Sequence, residues 1–236
     1  MTENQLPALA SVLPPTRGST YPAAIIDGEA CFPEAATQRG LQSPIDAMPL
    51  GIQRLADAEL VDTALVHAER AFELWRATPA PRRGELVRRI AEEVRLHQRE
   101  LARIITLETG KTQAEANGEV QEWIESCDFA LGFSRQLKGQ TTASEQTGQR
   151  VIEQWHPLGP VAVISAFNSP VASWAEAAMQ AFVCGNPVIW KPSAKTPLCA
   201  LAAQTLVGQV LADFDETPAS LAQLLIGTAE VGSALV

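Results

Sequence analysis

Residues 161–226 spell strand, helix, strand, helix, strand, with each helix closed by a breaker and each strand short and apolar. Val161 to Ser165 is a partly β-branched run between Gly159-Pro160 and Asn168-Ser169-Pro170, the pattern of a strand buried on both faces. Val171 to Cys184 has Ala-rich helical composition, and Gly185-Asn186-Pro187 ends it in the Gly-then-Pro order of a helix C-terminus. Val188 to Trp190 is the second strand, and Leu221 to Ile226 is the third. Between them, Thr196-Pro197 reads as N-cap and first-turn proline for a helix from Leu198 to about Asp213. Such alternation implies right-handed crossovers and a parallel sheet, in which ligands bind outside the carboxyl ends of the strands. Two polar side chains stand at those ends: the amide of Asn168 and the ammonium of Lys191.

Upstream lies a helical region. Leu60, Ala64, Ala68, Ala71, Phe72 and Trp75 form one apolar stripe, ended by Pro79 and Pro81; Leu86, Ile90, Val94, Leu101 and Ile104 form another. Arg82, Arg83, Arg88, Arg89, Arg95 and Arg99 alternate with Glu85, Glu92, Glu93 and Glu100 in helical register, so a solvated, charge-paired face is expected rather than an anion site. Val151 to His156, after the polar stretch Gln140 to Gln149, reads as an exposed strand. The first twenty residues, with Pro7, Pro14, Pro15 and Gly18, look like a loose leader, too poor in basic residues to match a transit peptide.

Charge narrows the partners. A net charge of −9 argues against nucleic acid and against an anionic membrane surface. No apolar run approaches the roughly eighteen residues a membrane span requires. Cys31, Cys127, Cys184 and Cys199 show no CxxC spacing and no accompanying His cluster, so neither a metal site nor a disulfide framework is indicated and reduced cytoplasmic thiols are expected. Cys127, on an apolar helical face with Val120, Ile124 and Leu131, and Cys184, at a helix end, read as core residues.

PLGPVAVISAFN, CGNPVIWKPS and the TPL that follows resemble the aldehyde dehydrogenase superfamily. LETGK (Leu107 to Lys111) and GEVQEWIESCDFALGFSRQLKG (Gly118 to Gly139) narrow the resemblance to the antiquitin branch, the α-aminoadipic semialdehyde (piperideine-6-carboxylate) dehydrogenases of lysine catabolism. The similarity runs from about residue 25 to 236 and implies an α/β fold. Its expected divisions are a leader over 1–24, an amino-terminal helical part of the cofactor domain over 25–139, an oligomerisation β-arm over 140–158, and the first half of a Rossmann-type dinucleotide-binding domain over 159–236. The family's catalytic domain, with its nucleophilic cysteine and general-base glutamate, is expected to be absent, and none of the four cysteines matches that nucleophile.

The activity implied is NAD-dependent oxidation, with NADP possible, of a small amino-acid-derived semialdehyde to a carboxylic acid through a cysteine thiohemiacetal and thioester. A homo-oligomer is implied for the full-length form. The alternative is a catalytically inactive paralogue or fragment that binds nucleotide weakly or pairs with full-length subunits through Gln140 to His156. By the resemblance, Asn168 is the oxyanion donor; Lys191 reaches the adenosine ribose, with Ser165, Ala166 and Phe167 lining the same groove; Gly227 is a close-approach position for the nucleotide, with Gly232 as packing; and Glu122 faces the substrate's amino group. Read without the family, Asn168 is a turn residue, Lys191 a snorkelling lysine and Glu122 an exposed helical glutamate. Three positions depart from the family pattern: Ser169 replaces a Phe, Glu176 a Trp of the substrate tunnel, and Ala194 the ribose-binding glutamate, which with Lys195 beside it would permit NADP.

Overall fold

The computed structural model describes residues 19–215 and 217–236. Five short strands come first: β1 (Thr20–Tyr21), β2 (Ala24–Ile26), β3 (Glu29–Cys31), β4 (Gln38–Gln42) and β5 (Pro49–Arg54). The helices α1 (Ala58–Trp75), α2 (Ala80–Leu96), α3 (Gln98–Thr109) and α4 (Gln113–Phe133) follow. A hairpin, β6 (Thr141–Ala143) and β7 (Arg150–Ile152), leads into β8 (Val161–Ile164), α5 (Ala172–Cys184), β9 (Val188–Lys191), α6 (Pro197–Ala212), β10 (Ala222–Leu225) and α7 (Ala229–Ala234).

The main sheet has the order β3-β2-β10-β9-β8, and β8, β9 and β10 are parallel, with Ile164 opposite Lys191 and Trp190 opposite Leu224. The β-α-β-α-β reading therefore stands, but two strands that it lacked complete the sheet: β2 pairs antiparallel with β10, and β3 with β2. A second sheet, β1-β5-β4, lies in the same stretch, so residues 25–139, read as helical, begin with strands and become helical only at Ala58. β1, β2 and β3, of two or three residues each, are too short to show alternation, and the longer β4 and β5 are broken by glycine, yet one local signal was present. Asp27-Gly28, both at positive φ, turns β2 into β3, and Asp-Gly between apolar runs is a hairpin signal. Of the expected leader, 1–18 lie outside the described residues, while residues 20 and 21 form β1.

One strand differs in burial. β8 is an edge strand with Ile164 53% exposed, not a strand covered on both faces, because its ladder pairs only with β9. The helices pack by the stripes expected of them, with Val61, Ala64, Ala68, Ala71 and Trp75 buried on α1 and Leu86, Ile90 and Val94 on α2. Trp75 Nε1 donates to the Phe182 carbonyl at 2.8 Å, which ties α1 to α5. The arginine face is charge-paired as expected around Arg88, which bridges Glu85 and Glu92, whereas Arg83 is a correction. It is buried, its Nε donates to the Val183 carbonyl at 2.7 Å, and desolvation holds its pKa below the usual value. Burying the guanidinium gives the carboxyl end of α5 a cationic partner.

That contact depends on Gly185. Its φ of +90 is a left-handed cap, and a Cβ there would lie 2.6 Å from Arg83 Nη1 and 2.8 Å from Pro157 Cγ. Gly185→Ala is expected to cost about 2 kcal/mol in urea unfolding, from backbone strain plus displacement of Arg83. Gly118→Ala, in the open middle of α4 with nothing within 4 Å, should instead be neutral or stabilising. Equal costs for the two would refute this account of the turn.

Candidate active-site and cofactor groove

The chain leaving β8 is fixed at both ends. Ser165 is buried, its backbone N donates to the Lys191 carbonyl at 3.2 Å, and its hydroxyl accepts from Trp190 Nε1 at 2.8 Å. Trp190 stacks on Trp174 with centroids 4.4 Å apart, and Trp174 meets Trp123 edge-on at 5.4 Å, so the wall behind the loop is aromatic and rigid. The Ser165 side chain thus holds Trp190, and Ala166 and Phe167 are exposed on the loop beyond it. Phe167 is half exposed and lies beneath Lys195, whose Nζ is 4.5 Å from the ring centroid. Asn168 is exposed in the turn that follows, and its amide has no hydrogen-bond partner among the described residues.

Lys191 ends β9 beside this loop. It is 8% exposed, its Nζ finds only the Pro192 carbonyl at 3.2 Å among the described residues, and desolvation lowers its pKa. Gly232 faces its stem: a Cβ there would sit 3.8 Å from Lys191 Cδ and 3.9 Å from Ile164 Cδ1, ordinary contact distances. The surroundings of the two glycines differ. A Cβ on Gly227 would meet Val231 Cγ2 at 2.5 Å, so only glycine fits there without displacing Val231, whereas Gly232 has room for one beside Lys191. Ala194 and Lys195 line a neighbouring cavity of about 270 Å³ with Phe167, Thr196 and Arg39.

Glu122 opens onto a different space. An open cleft of about 600 Å³ between α4 and α5 is lined by Glu122, Glu125, Ser169, Ser173 and Glu176. The structure thus brings together Glu122 and two of the residues that depart from the family pattern, and Glu176 is exposed there rather than buried. Three carboxylates in one cleft disfavour an anion and favour a cation. Lys191 and Ala194 do not line this cleft.

The thiols are unsuited to attack. Cys127 and Cys199 are buried, and burial raises the pKa of all four cysteines. Among the described residues, no cluster of His, Cys, Asp and Glu could hold a metal ion, and no helix is long and apolar enough to cross a membrane.

Sequence reasoning gave no role to two buried glutamates, although Glu108 sits in LETGK and Glu119 in the GEVQE stretch. Neither crossover helix is capped by its own side chain: Thr196 occupies the N-cap of α6 but makes no cap bond, and Val171 cannot make one. Glu108 instead accepts from the Leu198 and Cys199 backbone N–H groups, each at 2.8 Å. Glu119 accepts from Val171 N at 2.9 Å and Ala172 N at 3.4 Å, and Lys111 Nζ lies 2.5 Å from its other oxygen. Carboxyl oxygens at helix N-termini satisfy the otherwise orphaned N–H groups.

Residues 34–236 match the aldehyde dehydrogenase family profile. The chain belongs to that family. It is 42% identical over 204 residues to the Caenorhabditis elegans aldehyde dehydrogenase family 7 member A1 homolog, covering 86% of this chain and 38% of the relative. It is 36% identical over 192 residues to the Bos taurus alpha-aminoadipic semialdehyde dehydrogenase, covering 81% and 35%. The crystal structure of an Escherichia coli NADP-dependent enzyme superposes with a TM-score of 0.85 at 29% identity, covering 91% of this chain and 44% of that one. This aldehyde dehydrogenase chain therefore spans between a third and a half of the length of these proteins, and the antiquitin-branch resemblance read from its motifs agrees with them. The aldehyde dehydrogenase family uses NAD(P).

Proposed function

We propose that this chain supplies the oxyanion donor and the adenosine-ribose contact for NAD(P)-dependent oxidation of an aldehyde carrying an ammonium group. The class is an amino-acid-derived semialdehyde such as α-aminoadipic semialdehyde, the substrate in the Bos taurus relative's name. The observation that carries the reading is the pairing of an unpartnered Asn168 with a buried Lys191 that has no anionic partner among the described residues, at the carboxyl ends of adjacent parallel strands. A desolvated ammonium without a counter-ion among the described residues fits a ligand rich in hydroxyl and anionic oxygens.

NAD(P), when bound, supplies the hydride acceptor. The chain's own residues do the rest of the work assigned here. Lys191 donates to ribose hydroxyls, and Ala166 and Phe167 wall the groove from water. The Asn168 amide donates to the aldehyde oxygen as that oxygen gains negative charge, without titrating across the working pH range. Glu122, with Glu176 across the cleft, attracts the substrate ammonium. The reading includes a cytoplasmic setting, in keeping with four free thiols.

In an active enzyme carrying this segment, Asn168→Ala should lower kcat about 10²–10³-fold. Glu122→Gln should lower kcat/KM for the amino-bearing aldehyde about tenfold relative to an analogue without the amine. An unchanged kcat for the first variant would remove the oxyanion role, and an unchanged ratio for the second would remove the ammonium contact. Ala194→Glu should raise the NAD-to-NADP ratio of kcat/KM about tenfold, and no change would show that residue 194 does not face the ribose.

A second reading rests on β6 and β7. Both strands are exposed throughout, and Val151, Ile152, Trp155 and Leu158 present apolar surface around them. Residues 140–158 therefore suit pairing with another copy or a full-length subunit, an association that sedimentation of Val151→Asp beside the unmodified chain would test.

A further inference from the structure

Glu119 is 3% exposed and sits one helical turn before Trp123 on α4, against the start of α5. Its two oxygens are divided between tasks. One takes the Val171 and Ala172 backbone N–H groups, and the other takes the Lys111 ammonium. Val171 begins α5 three residues after Asn168, and its own side chain makes no cap. From the first turn of α5, Ser173 Oγ donates to the carbonyl of Ser169, which lies between them, at 2.8 Å and folds the same stretch back onto the helix. At its other end the loop is held by Ser165 through Trp190, which stacks on Trp174, which in turn meets Trp123. The loop thus runs between two anchors, one aromatic and one carboxylate, and both reach α4.

We propose that Glu119, oriented by Lys111, is a positioning residue that sets where the Asn168 amide points by fixing the start of α5. This inference rests on the assignment of Asn168 as the oxyanion donor. The reach of the carboxyl matters more than its charge, because the bonds that fix α5 run to neutral N–H groups. Lys111 compensates the charge and holds the carboxylate plane. An Asn-borne donor works only where the oxygen develops its charge, and a shift of about 1 Å in such a group costs roughly 10²-fold in rate.

The test has a structural and a kinetic arm. In the 236-residue chain, the Asn168 side-chain amide resonances are followed by NMR in Glu119→Ala, Glu119→Asp, Glu119→Gln and Lys111→Met, with Glu108→Gln, at the other crossover helix, as control. Alanine and aspartate, which cannot reach Val171 N, should move the Asn168 resonances; glutamine, which keeps an acceptor of the same length, should restore them; the control should leave them in place. If the alanine variant does not fold, the aspartate and glutamine variants decide. Resonances unmoved in aspartate, or moved as far by glutamine as by aspartate, would overturn the proposal. In an active enzyme carrying the segment, Glu119→Asp should lower kcat about 10²-fold with the KM for NAD unchanged, and add nothing in an Asn168→Ala background. Unchanged kcat in Glu119→Asp beside an impaired Asn168→Ala would sink the positioning role alone, whereas full activity in Asn168→Ala would sink the donor assignment itself.

Discussion

Trp174→Ala is expected to destabilise the chain by about 4 kcal/mol, the largest effect of any single substitution discussed. Trp174 is fully buried at the centre of the Trp123–Trp174–Trp190 stack, so truncation opens a cavity and removes two ring contacts at once. The consequence reaches the groove, since Trp190 loses its stacking partner while still donating to Ser165. Trp174→Phe keeps part of the stack and should cost about half as much. Urea unfolding measures both, and a cost below about 1 kcal/mol for alanine would mean that the stack is not what holds the wall behind the loop.

Stability should also fall as pH rises from 5 to 8, through Glu108. Burial pushes its carboxyl up to about 7, against the effect of the Cys199 and Leu198 donors, which favour the charged form. The unfolded chain has an ordinary carboxyl near 4.3. Between those values the unfolded state has released a proton that the folded state still holds, so raising the pH drains stability across this window and leaves it low above 7. Holding the carboxyl that far above its ordinary value corresponds to about 4 kcal/mol. Glu108→Gln should flatten the dependence between pH 5 and 8, with other titrating groups cancelling in the comparison. An identical slope in both proteins would contradict the neutral form of Glu108 in the folded state.

What was legible in the sequence was local. The run from Val161 to Ile226 showed its elements because breakers such as Gly185-Asn186-Pro187 stand beside strands that are apolar throughout, and the structure places α5, β9, α6 and β10 within a residue or two of that reading. The caps were illegible for the converse reason. Glu108 lies 90 residues from Leu198, Glu119 lies 52 from Val171, and Arg83 lies 100 from Val183, so no spacing rule links them. Arg83 even matched the charged helical pattern of its neighbours. Asn168 and Lys191 were found at strand ends, but their assigned roles came from the motif resemblance, since a turn asparagine and a partly buried lysine carry no activity by themselves. Gly227 and Gly232 were equally hard to tell apart: both follow a strand, and only the packing of Val231 distinguishes their surroundings.

The central claim is that the carboxyl ends of β8 and β9 form the cofactor groove. Titration of the chain with NAD, by calorimetry and by NMR of the same samples, tests it most directly. The account predicts saturable binding that perturbs residues 165–167, Lys191 and Gly232, and that weakens about tenfold or more in Lys191→Ala. Equal affinity for Lys191→Ala and the unmodified chain, or perturbation confined to other surfaces, would contradict it.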